Sequence, residues 1–140
     1  MSGLFDPIPF TKMHGAGNDY IYLDRFARPD IEPSPEWIVA ASDRHFGIGG
    51  DGVIVIEPGQ TAPYRMRMWN LDGSSSEMCG NGLRCVSKLL FDRGYTKGQT
   101  AFTIQTGAGN KEVSVIPGPG GKTTSRATID LGAPIWDGPK

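Results

Sequence analysis

Glycine sets the folding problem for this chain. Thirteen of its 20 glycines gather in five places, Gly15 to Asn18, Gly47 to Gly52, Cys79 to Gly82, Gly107 to Asn110 and Gly118 to Gly121. Glycine enters left-handed backbone conformations that other residues avoid, so each cluster marks a tight turn. The segments between the clusters are short and regular in pattern. A chain punctuated in this way folds as many brief elements joined by sharp turns, not as a long helical bundle or a low-complexity tail.

The segments then take their types. Phe10 to His14 and Tyr20 to Asp24 carry aromatic and β-branched residues on either side of a glycine turn, which predicts a hairpin. Ser34-Pro35-Glu36 puts a hydroxyl at an N-cap, proline at the first helical position and an acid in the first turn, so a helix is expected over about 35–45. Trp37, Ile38 and Ala41 would face the core. Strands are expected at Gly52 to Glu57 and Tyr64 to Asn70. Leu83, Val86, Leu89 and Leu90 then recur at helical spacing until Gly94 offers a left-handed cap. The rest, Phe102 to Gln105, Lys111 to Ile116 and Ser125 to Leu131, alternates as strands do. Sheet with two helices makes the fold class α+β.

Length and charge narrow the partners. One domain of ordinary size accommodates 140 residues. Fourteen basic residues against fifteen acidic ones leave a net charge of -1, which gives no electrostatic footprint for nucleic acid or an anionic membrane. The longest apolar runs, such as Val53 to Ile56, fall far short of the ~20 residues of a spanning helix. A small neutral or zwitterionic molecule is the expected partner. No basic, apolar leader opens the sequence, so a reducing cytoplasm and free thiols are expected.

The only two cysteines stand in Glu77-Met78-Cys79-Gly80-Asn81-Gly82-Leu83-Arg84-Cys85. Six residues along one helix separate them by ~9 Å of rise, which exceeds the ~7 Å Cα limit of a disulfide. A zinc site from Cys79, Cys85, His14 and His45 has enough ligands, but the cysteine spacing is wider than usual and the histidines are far apart. Cys85, among Val86 and Leu89, is expected in the core. Cys79 stands where a helix starts, and Gly80 and Gly82 strip side chains from that start. The unpaired N–H groups of a first turn can hold a carboxylate and favour a thiolate. A helix terminus supplies only ~0.3–1 kcal/mol, however, while one pKa unit needs ~1.4 kcal/mol. A working thiolate there needs a further base or a closed pocket.

Five motifs together resemble the diaminopimelate epimerases. They are Lys12 to Asp19, Arg44 to Gly52, Asn70 to Ser74, Met78 to Cys85 and Gly132 to Trp136, in the family's order and near its spacing. The related proline racemases follow their Met-Cys-Gly with histidine, where this chain has Asn81. The resemblance implies a mostly antiparallel curved sheet wrapped around a central helix that begins after Cys79. It also implies a cofactor-free epimerase that inverts the α-carbon of diaminopimelate between two cysteines, for lysine and cell-wall biosynthesis. Cys79 would be one of that pair, and the N–H groups of Gly80 and Asn81 would hold the reacting carboxylate. Asn18 and Asn70 match substrate-binding positions. An amide accepts from an ammonium and donates to a carboxylate, as a zwitterionic terminus requires; the competing reading is a turn residue. Some family members place a substrate-contacting glutamine where this chain has Gly52.

Family members are about twice as long, and their second catalytic cysteine lies in the second half. Residues 1–133 are therefore expected to form an N-terminal domain, with 134–140 starting the connection to a second one. Cys85 cannot replace the missing cysteine, because it points ~120° away from Cys79 on the same helix and sits ~9 Å deeper. The chain alone is expected to be inactive, and an uncovered apolar interface would favour a homodimer. A racemase of another amino acid and a non-catalytic amino-acid-binding domain are the alternatives. Gly47 to Gly52 also spells a dinucleotide fingerprint, but helix precedes it and strand follows, the reverse of the required order. His14 and His45, each inside a glycine-turn motif, are expected to be structural.

Overall fold

A computed structural model describes residues 8–15, 17–121 and 123–130. The motif from Gly132 to Trp136 and the proposed connection at 134–140 lie outside the described residues. The elements run β1 (Thr11–Gly15), β2 (Asn18–Asp24), α1 (Pro35–Ser42), β3 (Gly52–Pro58), β4 (Tyr64–Asn70), β5 (Ser75–Ser76), α2 (Gly80–Asp92), β6 (Ala101–Thr106), β7 (Gly109–Pro117) and β8 (Thr124–Asp130).

The strands form one sheet in the order β1-β2-β3-β4-β6-β7-β8, with β5 paired to β4. Pairing is mostly antiparallel; β2 with β3 and β4 with β6 are the parallel exceptions. Each parallel pair is bridged by a helix, as parallel neighbours require, α1 between β2 and β3 and α2 between β4 and β6. The two helices lie on opposite faces. Leu83, Val86 and Leu90 of α2 are fully buried against Tyr20, Tyr22, Ile54, Met66 and Ile104 of the curled sheet. Helix α2 packs on β1, β2, β7 and β8, so the sheet wraps around it. Ile38 and Ala41 of α1 pack on the other face against Ile21, Leu23, Val53 and Val55, with Trp37 half-buried beside them. This two-sided burial explains why Val53 to Ile56 is apolar without alternation. Strand β4 alternates instead, with Tyr64, Met66 and Met68 buried on the α2 face and Arg65, Arg67 and Trp69 half-buried on the other.

Two departures from the sequence reading have local causes. Helix α1 stops at Ser42, not near 45, because the Asp43 carboxylate accepts the N–H groups of His45 (2.8 Å) and Phe46 (2.9 Å) and turns the chain. Strand β5 has only two serines and no periodicity, and the sequence did not announce it. The cap on α2 is as expected. Gly94 takes φ 79°, with Gly94 N–H to Phe91 C=O (3.0 Å) and Tyr95 N–H to Leu90 C=O (3.0 Å) closing a Schellman motif.

Glycine at 52 is fixed by the sheet. A Cβ there would lie 2.0 Å from the Trp69 carbonyl oxygen across the β3–β4 ladder, so this backbone admits no glutamine. Farther along the same pair, Glu57 is buried and satisfied by arginines. Its carboxylate takes Arg25 at 2.7 Å and Arg67 at 2.9 Å, and Arg67 also chelates Glu32 at 2.7 and 2.8 Å.

Candidate active site

Cys79 is the N-cap of α2, in extended conformation (φ -131°, ψ 127°), with its carbonyl accepting Leu83 N–H at 2.8 Å. Serine, threonine or aspartate at this position would cap the first turn with a side-chain oxygen. Cysteine makes no such bond. The first-turn N–H groups of Gly80, Asn81 and Gly82, which have no intrahelical acceptor, are therefore left uncapped. The thiol is free and half-buried, whereas the Cys85 thiol is free and buried. Burial pushes Cys85 up, which keeps it a neutral thiol among Val86, Leu89 and the sheet.

The two glycines after Cys79 differ in what requires them. A Cβ on Gly82 would come within 2.8 Å of Ile54 Cδ1 and 3.7 Å of Cys79 Cβ, so this glycine lets the first turn settle onto β3. A Cβ on Gly80 would meet nothing within 4 Å. Nothing inside the described chain demands glycine there, and open space lies in front of it, at the helix end beside the sulfur.

Three segments are knitted together around this helix start. Asn81 Nδ2 donates to Asn18 Oδ1 at 2.9 Å, and Arg84 donates to Asn81 Oδ1 at 3.2 Å. Asp51 Oδ2 accepts Asp19 N–H at 3.1 Å and Asn18 Nδ2 at 3.4 Å, while Asp51 N–H donates to Asp19 C=O at 2.6 Å. Arg44 grips Asp19 with two bonds of 2.8 and 2.9 Å and reaches Asp51 at 3.1 Å; Lys12 lies 3.2 Å from Asp19. The bond from Arg44, then Lys12, holds the Asp19 carboxyl well below the usual carboxylate range.

The structure thus brings Cys79, Gly80, Asn81 and Asn18 together. Asn70 stands at the same end of the sheet, because Gly52 of β3 is its register partner. Its side chain bonds only Ser74 (3.1 Å) among the described contacts, within the 70–74 turn. His14 and His45 are exposed and enter no described hydrogen bond of this cluster through their rings. Among the described residues no group of three histidines, cysteines or acids is placed to hold a metal ion, and no helix is long and apolar enough to cross a membrane.

Sequence reasoning missed Tyr20. Its ring packs in the core cluster that Cys79 borders. The alternation in Asp19 to Asp24 was the available signal, since it puts Tyr20 and Tyr22 on the α2 face of β2.

Over residues 10–132 the chain matches the family described as Diaminopimelate epimerase. The diaminopimelate epimerase of Leptospira biflexa is 52% identical over 128 residues, which are 91% of this chain and 45% of that protein. The Agathobacter rectalis diaminopimelate epimerase is 46% identical over 126 residues, 90% of this chain and 43% of that protein. The chain spans less than half the length of these relatives. Among solved structures, a methylitaconate-delta-isomerase superposes with TM-score 0.63 at 19% identity, over 83% of this chain and 36% of that one. A Bacillus anthracis phenazine biosynthesis protein of the PhzF family gives 0.56 at 20% identity, over 80% and 36%. Both share the fold. Matched to the family across residues 10–132, and about half identical to curated members along nine-tenths of its length, this chain belongs to the diaminopimelate epimerase family.

Proposed function

We propose that this chain carries one acid/base face of a cofactor-independent epimerase that interconverts LL- and meso-diaminopimelate in the cytoplasm. Family membership supports the reaction. The observation that carries the assignment to this site is the half-buried Cys79 thiol at the uncapped start of α2, beside a glycine that nothing in the described chain requires.

In this reading the Gly80 and Asn81 N–H groups hold the reacting carboxylate. The Cys79 thiolate takes the α-proton, so the Cα–H bond breaks and an S–H bond forms. The electron pair left on Cα spreads into the carboxylate, where the N–H groups stabilise it. A second thiol on the opposite face delivers a proton to Cα. Asn18 and Asn70 orient the amino-acid terminus, and Asn81, tied to Asn18, keeps the turn in place. Cys85 is not the second thiol, because it is buried in the core. That thiol comes from outside the described residues, in a second domain that closes over the site. Phe46, 96% exposed, and Leu71, exposed and next to Asn70, would suit a covering surface. The same exposed apolar rim would serve a homodimer.

The test uses diaminopimelate in deuterated buffer. With this chain alone, the expected result is protection of Cys79 from alkylation without inversion at the α-carbon. Joined to the C-terminal half of a curated relative, the chain should invert the centre and incorporate deuterium, and Cys79→Ser should abolish both. Inversion that survives Cys79→Ser sinks the assignment. Inversion by this chain alone that disappears in Cys85→Ala would restore the idea of two cysteines on one helix.

A further inference from the structure

Strand β4 gives one edge wholly to β3 and divides the other. On that second edge β6 takes Tyr64 and Arg65, and β5 takes Met68 and Trp69. A cleft of about 450 Å³ opens beside the divided edge, with Arg67, Ser76, Glu77 and Gly107 in its lining. One backbone bond ties the two partners together again. Gly107 N–H, in the turn between β6 and β7, donates to Glu77 C=O at 3.2 Å, two residues before Cys79. Among the described contacts this is the one hydrogen bond that residues 77 and 78 make outside the sheet ladders.

The turn itself is firmly held. Thr106 Oγ1 accepts Ala108 N–H at 3.1 Å and donates to Gly109 C=O at 2.6 Å. Gln105 Oε1 accepts the N–H groups of Gln60 (2.8 Å) and Thr61 (3.1 Å), and Asn110 exchanges bonds of 2.9 and 3.0 Å with Thr61. The β3–β4 turn therefore anchors the β6–β7 turn, which abuts Glu77. Two glycines in this turn have different reasons. Gly109 takes φ 101°, and a Cβ there would meet nothing within 4 Å, so conformation requires it. Gly107 has no positive φ, but a Cβ there would lie 2.9 Å from Glu77 Cα and 3.2 Å from Glu77 oxygen, so contact requires it.

We infer that Gly107 is a positioning residue for the reaction: its close contact with Glu77 fixes the backbone that carries the Cys79 sulfur. This rests on the reading of Cys79 as the acid/base of the site. The helix start is anchored separately, by Asn81 on Asn18 and by Gly82 against Ile54, so Cys79 lies between two independent supports. A methyl at 107 must push Glu77 back until the 2.9 Å approach reaches an ordinary carbon–carbon distance of ~3.5 Å. A misplacement of ~1 Å costs about a hundredfold in rate, so the part of this shift that Cys79 inherits should cost about tenfold. The carboxylate cradle at Gly80 and Asn81 stays where Asn18 holds it.

The test measures diaminopimelate inversion by the chain joined to the C-terminal half of a curated relative. Gly107→Ala should lower kcat about tenfold and change KM by less than about twofold, because the sulfur moves and the cradle does not. Gly109→Ala strains the same turn without adding an atom against Glu77, so it should lower Tm and change kcat by less than about twofold. Gln105→Ala removes the anchor on the β3–β4 turn and adds no atom. It should lower kcat with KM held, and this arm decides where Gly107→Ala fails to fold. Amide spectra of the chain itself need no substrate: the Met78 and Cys79 resonances should move in Gly107→Ala and stay in Gly109→Ala. Unchanged kcat in Gly107→Ala, an equal fall in Gly109→Ala, or unmoved Met78 and Cys79 resonances overturn the inference. A joined wild-type protein without turnover counts against the reading of the site instead, and the amide spectra then decide the positioning.

Discussion

Adding one methyl group at Gly80 should separate the stability of this fold from its ability to hold a ligand. The new Cβ meets nothing within 4 Å, so no atom must move. Alanine restricts the unfolded chain relative to glycine and suits a helix better, an effect of about 0.4–1 kcal/mol at compatible sites. At the first helical position about 0.5 kcal/mol is expected, a rise in Tm of about 2 °C for a domain of this size. Two neighbouring glycines supply the scale. At Gly82 the added methyl lies 2.8 Å from Ile54 Cδ1, a fully buried core side chain, so the overpacking should cost about 1–3 kcal/mol. At Gly52 it lies 2.0 Å from a backbone oxygen, against an ordinary C···O contact of about 3.3 Å. The β3–β4 ladder would have to part by more than an ångström, so Gly52→Ala should destabilise by about 3 kcal/mol or more. Urea and thermal unfolding followed by circular dichroism give this order. Protection of Cys79 from alkylation by diaminopimelate gives the ligand side, where Gly80→Ala should lose the protection because its methyl fills the space in front of the N–H groups. Loss of more than about 1 kcal/mol in Gly80→Ala, or full protection retained, would refute the reasoning.

Thiol labelling of the folded chain should modify Cys79 well before Cys85, which is 8% exposed; equally fast reaction of both would place Cys85 wrongly. Glu57→Ala should destabilise by about 2–3 kcal/mol in urea, below the range for fully buried pairs because Arg25 and Arg67 keep some solvent; a neutral effect would show that the arginines re-pair without it. Asp19 has a depressed folded-state pKa, so its stabilisation is fully present above the unfolded value near pH 4 and fades as pH falls below it. The gap in urea midpoint between wild type and Asp19→Asn should therefore be constant from pH 7 to 5 and narrow by pH 3, and a constant gap at all three would exclude the ion pair with Arg44.

Much of the fold was legible because local chemistry wrote it. The N-cap of α1 is the predicted Ser34, whose hydroxyl accepts Trp37 N–H at 3.1 Å, and Gly94 ends α2 as a left-handed cap. Strand β4 begins and ends at the predicted residues. Beyond the predicted β1–β2 hairpin, pairing was not legible. That β2 and β3 run parallel and β4 reaches β6 depends on which faces α1 and α2 cover, and periodicity names a buried face without naming its partner. The early end of α1 belongs to Asp43, whose side chain competes for backbone N–H groups only once the chain turns.

The sequence by itself separated the two cysteines, because six residues of helix cannot present both sulfurs to one carbon. It also singled out the start of α2 as a candidate anion-binding end, since only glycine and asparagine follow Cys79 there. Tertiary structure decided the rest of the site. Asn18 and Asn81 are 63 residues apart and meet only because β2 lies under the first turn of α2. Gly52 is glycine because of a carbonyl on another strand, and Tyr20 shares a core cluster with Cys79 because the sheet curls around the helix. Backbone periodicity is local and can be read along the chain, whereas a contact between side chains on different elements exists only after burial has chosen how those elements pack.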